Sequence, residues 1–404
     1  MNKKLIALAV AGATIAPVAM AQTANPVTLY GRAYATFESV EANGTVGTTG
    51  PVVRRNRVVD QSSNLGVRGT EDLGGGLKAF FQLETAFKLD QNDTTFAARN
   101  SGVGLQGGWG SVLLGRWDTP FKVVTTAMDP FGDLTLGNTN GIGSGGAFYN
   151  TAASNAFNRR DTNVVQYWSP SWAGIAIRLQ YSANEARSSA PCANAPAGTS
   201  CNPLSQGGSI SYTGGPIYIA YGYHEVKDAS WTTIVATAAG NAGTAPYAFG
   251  SAYGPKATAN AIAGTFTFGP LKFGAEYQKL KRTVSTSATA AATVTGFSDQ
   301  KMFAGNLTWT VGNHQFLYQY AKATDGGVNI ITSATIARPV EPDCKMNAIG
   351  YQYNFSRRTF FLAEYVKIDN NMTQTCNFGS TDMRLAIVPG QDPKGVSAGL
   401  RHIF

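Results

Sequence analysis

The sequence predicts an all-β chain closed into a sixteen-stranded antiparallel transmembrane β-barrel, and three observations predict it. Short segments alternate apolar and polar residues, the period-2 signature of strands with one apolar and one polar face. The connectors alternate short and long, as in an up-and-down meander with tight turns at one rim and long loops at the other. Charged residues make up 14% of the chain, against about 25% in a soluble domain. Yet beyond the N-terminus no apolar run reaches the roughly 18 residues of a membrane helix.

The first 21 residues read as a secretory signal. Lys3 and Lys4 supply the positive start, Leu5 to Val18 the short apolar stretch, and Ala19-Met20-Ala21 the small-x-small cleavage site. Cleavage there leaves residues 22–404 as a single barrel domain, with no linker or composition shift dividing it. Of 32 Lys and Arg, two lie in the signal, so 30 remain against 24 Asp and Glu, a formal charge of +6.

The strands expected in order are Val27–Val40, Ser63–Glu71, Leu77–Lys88, Ala98–Gln106, Ser111–Trp117, Asn163–Ser169, Gly174–Ala183 and Gly208–Thr213. Then follow Pro216–Val226, Thr258–Phe268, Leu271–Arg282, Lys301–Thr310, His314–Ala323, Lys345–Asn354, Thr359–Ile368 and Lys394–Phe404. Tight connections such as Asp72–Gly76, Gly107–Gly110, Gly214–Gly215, Gly269–Pro270 and Phe355–Arg358 are rich in Gly, Pro, Asn and Ser, which supply turn geometry at little cost. These are the short periplasmic turns of the expected barrel. The long connections, rich in Gly, Thr, Ala and Ser, are its extracellular loops.

Strand faces follow from the alternation. Leu29, Gly31, Ala33 and Ala35 alternate with Tyr30, Arg32, Tyr34 and Thr36; Ile175, Ile177, Leu179 and Tyr181 alternate with Arg178 and Gln180. A one-residue slip would place Arg178 in hydrocarbon at about 2–4 kcal/mol, so the register is well specified. An interior of Arg, Gln, Glu and Asn is too costly to keep dry, which makes the barrel a water-filled pore.

Ser63–Phe87, reading SNLGVRGTEDLGGGLKAFFQLETAF, closely resembles the second and third strands of general porins from β-proteobacteria. VTLYG at Val27–Gly31, GSVLLGR at Gly110–Arg116, RDTNVVQYWSP at Arg160–Pro170 and GLRHIF at Gly399–Phe404 resemble the same family, in the same order. The resemblance implies an outer-membrane channel for small hydrophilic solutes and ions, a homotrimer, and a third long loop, Thr119 to Arg159, folded inward as a constriction. It places Arg32, Arg99 and Arg160 on a basic wall. Asp129 and Asp133, in the DPFGD stretch of the loop, stand on the facing acidic side. Arg68, Arg178 and Glu84 share lumen parity with that wall. Facing walls of opposite charge set up a transverse field that filters ions. Two departures from the family pattern stand out: Asn64 occupies a position usually basic, and the acid usual after the loop proline is absent. Arg54, Arg55 and Arg57 are candidates to compensate from the loop above. Arg116 matches a subunit-interface position, with Asp90 or Asp93 of a neighbour as its partner. Phe404, with Leu400, Ala398 and Val396 before it, resembles the signal read by the barrel-assembly machinery.

Cys192, Cys201, Cys344 and Cys376 lie in or beside long loops of an exported chain, so disulfides are expected. Three pairings are open; Cys192–Cys201 with Cys344–Cys376 is the compact one. No His lies near any Cys in the sequence, so no metal site is expected, and no cofactor. Gly395-Val396-Ser397-Ala398-Gly399 matches GxSxG and Gly102–Gly107 matches GxGxxG. Neither precedes the helix its chemistry requires. His224, His314 and His402 fall on separate strands. A modest positive excess does not mark a nucleic-acid binder; lipopolysaccharide is the nearer anionic partner for the outer loops. The rival readings are a substrate-selective channel, for which Tyr30 and Tyr34 are a thin aromatic hint, a barrel enzyme, and a surface adhesin.

Overall fold

The computed structural model describes residues 27–404 apart from 93–95, 133–134, 144–156, 183–186, 188, 190–199, 232–251, 287–293, 332–342, 372–373 and 380–383. Residues 1–26, including the expected cleavage site, therefore lie outside the described residues.

Seventeen strand segments form one closed antiparallel sheet. They are β1 (Thr28–Asn43), β2 (Val52–Asp60), β3 (Asn64–Gly74), β4 (Leu77–Ala86), β5 (Ser101–Gly107), β6 (Gly110–Asp118), β7 (Arg160–Trp168), β8 (Ile175–Ser182) and β9 (Leu204–Gly214). β10 (Ile217–Trp231), β11 (Ala252–Phe268), β12 (Leu271–Thr286), β13 (Val294–Val311), β14 (His314–Ile331), β15 (Asp343–Asn354), β16 (Thr359–Asn370) and β17 (Asp392–Ile403) complete it. β2 and β3 are two halves of one wall strand. β2 pairs with the upper part of β1, Ala35 opposite Asp60, and β3 with the lower part, Arg32 opposite Asn64. The wall thus has sixteen strands, as expected. The segment read as the loop carrying Arg54, Arg55 and Arg57 is strand β2. The break falls at Ser62, whose φ of 64° leaves extended geometry.

The ring closes where β17 pairs with β1, Ala35 opposite Leu400. At the seam Gly31 and Phe404 exchange backbone hydrogen bonds of 3.2 and 3.0 Å. A Cβ at Gly31 would sit 2.6 Å from the Phe404 ring, so this position has room only for glycine.

Outward faces follow the predicted parity. Leu29, Phe37, Leu83, Leu179, Ile219, Ile262 and Leu400 are exposed to the outside of the barrel. Trp109, Trp172, Tyr212, Phe268, Trp309, Phe355 and Phe404 ring the short-turn rim, the amphipathic belt of a membrane interface. β7 starts three residues before its expected bound. Asn163 (φ 55°) and the irregular pairing between Gly115 and Trp117 interrupt the period-2 pattern there.

The interior is not uniformly polar. Inward residues of β11, β13, β14 and β15 are small: Ala257, Ala259, Ala261, Ala263, Ala304, Ala321, Ala323 and Ala348 are buried. Against them pack Phe121, Val124, Met128, Phe131, Leu136, Ile142 and Phe157 of the third long loop. The alanines leave the volume the loop fills, and burying its apolar side chains holds it there. The third loop is thus seated on the wall by an apolar core, and the charged lumen residues lie on and beside β1–β7.

Candidate functional site

The third loop leaves the wall at Asp118 and rejoins it at Arg160. It opens with a short helix, α1 (Pro120–Thr126), capped by the Thr119 side chain, which accepts the Lys122 N–H at 3.2 Å. Helix α1 lies against β8–β11, and beyond it the loop is pinned to the wall by polar side chains. Asn306 donates to the Met128 carbonyl at 2.9 Å, and Gln319 to the Gly137 carbonyl at 2.8 Å. The Glu364 carboxylate accepts the backbone N–H of Leu136 at 3.0 Å and of Gly137 at 3.1 Å. It also accepts the Ser397 hydroxyl at 2.8 Å, so Ser397, the serine of the GxSxG match, is a buried anchor with no histidine at hand among the described residues.

Opposite the loop stands the charged wall. Arg32 donates through Nε to the Ser62 carbonyl at 3.0 Å, and Arg99 reaches the Ser62 hydroxyl at 3.4 Å. Arg99 is ion-paired with Glu84, whose other oxygen accepts the Tyr30 hydroxyl at 3.0 Å. Arg68 lies 4.9 Å over the Tyr30 ring, a cation–π arrangement. Arg160 pairs with Asp118 at 3.2 Å and donates to Asn100 at 2.9 Å, while Lys122 of α1 reaches the same Asp118 oxygen at 2.6 Å. Arg32, Arg68, Arg99, Arg160 and Glu84 therefore gather on one wall. Asp118 and Lys122 join them and were not anticipated. Their four-residue spacing across a strand-to-helix junction was the available signal.

The structure moves the acids. Asp129 does not face the arginines. Its carboxylate accepts the Phe131 N–H at 2.9 Å, the Thr139 N–H at 2.7 Å and hydroxyl at 2.9 Å, and Gln319 of β14 at 3.3 Å. It folds the loop tip against the far wall, and burial pushes its carboxyl above the usual range. Donors of its own loop capture it, together with Gln319. Asp133 and Asp93 lie outside the described residues. Arg57 is paired with the buried Glu38 at 2.9 Å, and Arg54 with Glu41 at 3.1 Å, so neither adds uncompensated charge. Asn64 is buried, close to the Ser62 carbonyl. Tyr34 is buried against Phe360, so Tyr30 and Tyr34 form no aromatic track.

Arg178 faces the lumen further toward the short-turn rim, 5.4 Å over the Trp168 ring. Arg116 is half-buried beside Arg160, and its Nε has no hydrogen-bond partner among the described residues. At the foot of the returning loop, Asp161 pairs with Arg159 and accepts Gln180 at 2.6 Å. It also accepts the Ser205 hydroxyl, which lies 3.0 Å from His224 Nε2. This group is buried in the wall and fixes the loop root. Cys344 and Cys376 are disulfide-linked, Cα atoms 6.3 Å apart. Cys201 is also disulfide-bonded; Cys192, its expected partner, lies outside the described residues.

A closed barrel with an apolar belt and a polar lumen narrowed by its own third loop defines an outer-membrane channel. The chain belongs to the Gram-negative porin family, whose pattern matches residues 7–373. It is 28% identical to outer membrane porin protein 32 of Delftia acidovorans over the full length of both chains. It is 26% identical to an outer membrane porin protein of Bordetella pertussis over 86% of this chain and 83% of that one. Among solved structures it superposes on an anion-selective porin from Comamonas acidovorans with a TM-score of 0.67 at 22% identity, over 94% of this chain and all of that one. OmpT of Vibrio cholerae follows with a TM-score of 0.64 at 15% identity, over 95% of this chain and all of that one. The family is one of channels rather than enzymes, and its members reside in the outer membrane, as does this chain.

Proposed function

We propose that this porin passes small hydrophilic solutes by diffusion with a modest preference for anions. One observation carries the reading: among the described residues, cations outnumber acids on the charged wall. Arg32, Arg68, Arg99, Arg160 and Lys122 stand there with Glu84 and Asp118, while Asp129 is turned inside the loop. Such a cluster in a narrow, low-dielectric throat raises local anion concentration and repels cations. The Comamonas relative, described as anion-selective, supports the same sign. A reversal potential in a salt gradient tests it; a cation-selective pore would overturn it.

The working unit we propose is a homotrimer, a form also described for OmpT. Arg116, with no ion pair of its own among the described residues, is available at the contact. Removal of residues 1–21 precedes insertion, the Phe404 end meets the assembly machinery, and the outer loops contact lipopolysaccharide. Intact mass of the outer-membrane form tests the cleavage: a mature start other than Gln22 contradicts it.

A further inference from the structure

We propose that the lumen carries, on the short-turn side of the constriction, a subsite for small aromatic carboxylates built from Trp168, Trp117, Phe80 and Arg178. The Trp168 ring is the platform. Trp117 lies 5.3 Å from it and Phe80 6.3 Å, nearly parallel, while the Arg178 guanidinium sits 5.4 Å above it. All four side chains face the lumen side, since Phe81, Val165 and Leu179 on the same strands face out. Each is half-buried, so the cluster presents a surface rather than a sealed core.

Two features set this patch apart from ordinary lumen lining. Water-facing walls are served by Gln, Ser and Asn, as elsewhere on β7–β9, whereas three large rings in one place leave apolar surface wet. Moreover, Arg178 forms no ion pair among the described residues; its contact is the Trp168 ring. Its planar fork of donors therefore remains open to a carboxylate while its face is held on the indole. A ligand with a flat ring and one carboxylate meets both halves at once. The patch is also tied to the constriction: Trp168 Nε1 donates to Gln166 at 2.8 Å, and Gln166 donates to the Asp118 carbonyl at 2.9 Å. The platform is thus hydrogen-bonded to the strand end that carries Asp118.

The inference rests on the channel reading but not on the anion preference. Its test uses benzoate, with cyclohexanecarboxylate and acetate as comparators, against the purified full-length porin in a planar bilayer and by calorimetry in detergent. Benzoate is expected to bind about tenfold more tightly than either comparator and to interrupt the chloride current. Arg178→Gln and Trp168→Leu should each lose most of that advantage, and in Trp168→Leu the reversal potential in plain salt stays put. Arg178→Lys should retain part of it, which separates ligand binding from misfolding. Equal affinity for benzoate and cyclohexanecarboxylate, or wild-type benzoate affinity in Arg178→Gln, overturns the subsite. Calorimetry still reads it if the pore turns out to prefer cations.

Discussion

Gly141 of the third loop lies flat against the Asn377 carbonyl of the last loop, so close that a Cβ at position 141 would collide with that oxygen. The last loop is itself braced. Asn370 of β16 donates to the Cys376 carbonyl and accepts the Cys376 N–H, both at 2.9 Å, and the disulfide ties Cys376 to β15. Asn377 organises the segment behind it, and Phe378 is fully buried. The disulfide thus reaches the constriction through one intervening loop.

Breaking that link should loosen the throat without opening the barrel. Replacing Cys344 and Cys376 with Ser, or reducing the protein, removes a cross-link spanning 32 residues, worth about 2–4 kcal/mol. The expected outcome is a noisier open channel and a lower temperature of heat-induced unfolding on a semi-native gel. Identical traces from fully reduced and oxidised protein would show that the last loop does not hold the third.

Gly141→Val should act from the other side of the same contact. The added side chain forces the two loops apart, at about 1–3 kcal/mol for an overpacked site. Single-channel conductance should change and selectivity weaken, because the loop is displaced from its seat. An unaltered single-channel conductance would be the contrary result.

Glu364 makes a sharper case. It takes two backbone donors of the loop and the Ser397 hydroxyl in a buried setting. Glu364→Ala strands those N–H groups, at about 1–3 kcal/mol each. Protease cleavage within 127–143 is expected in the variant and not in the wild type. Resistance equal to wild type would mean that packing of Phe131 and Leu136 alone secures the loop.

How much of this was legible beforehand depends on which force acts. Strand order, parity and closure follow from alternation and turn chemistry, both local, and they are present in the structure as read. The placing of Arg32, Arg99 and Arg160 on one wall came from the family resemblance rather than from parity. The apolar packing of the third loop was not anticipated, because alanines such as 259, 261 and 263 carry no signal of what covers them until their loop partners are known. Asp129 sits in the expected motif, but its neighbours' N–H groups and Gln319, 190 residues away, decide where it points. Asp118 and Lys122 lie at a strand end, where period-2 reading stops.

Selectivity should follow the acids the structure finds. Replacing Arg32, Arg99 and Arg160 with Gln is expected to move the reversal potential toward cations, and Asp118→Asn toward anions, both most clearly in dilute salt. The Debye length is about 10 Å at 0.1 M and about 3 Å at 1 M, so the difference fades as salt rises. Asp129→Asn should instead loosen the loop tip and leave the sign of selectivity in place. A reversal potential that responds to Asp129→Asn but not to Asp118→Asn would restore the loop acid to the filter.

Lys122 gives the pore a pH response of known sign. Burial pushes its ammonium down to about 8; Asp118 opposes the shift, and the nearby Arg160 and Arg99 cations add to it. The folded chain therefore binds this proton less tightly than the unfolded chain does, where Lys has its ordinary value of 10.5. Between those two values the unfolded state carries more protons, so stability from this group rises with pH across that window and is lowest below it. Function runs the other way. As pH climbs through about 8, the throat loses one positive charge while Asp118 keeps its pair with Arg160, so anion preference should fall. Lys122→Met should start at the lower preference and show no such step, and Lys122→Arg should keep the preference at high pH. Reversal potentials measured in dilute salt on either side of that value decide it: a wild-type pore with no step, or a step that persists in Lys122→Met, would place the titrating charge elsewhere.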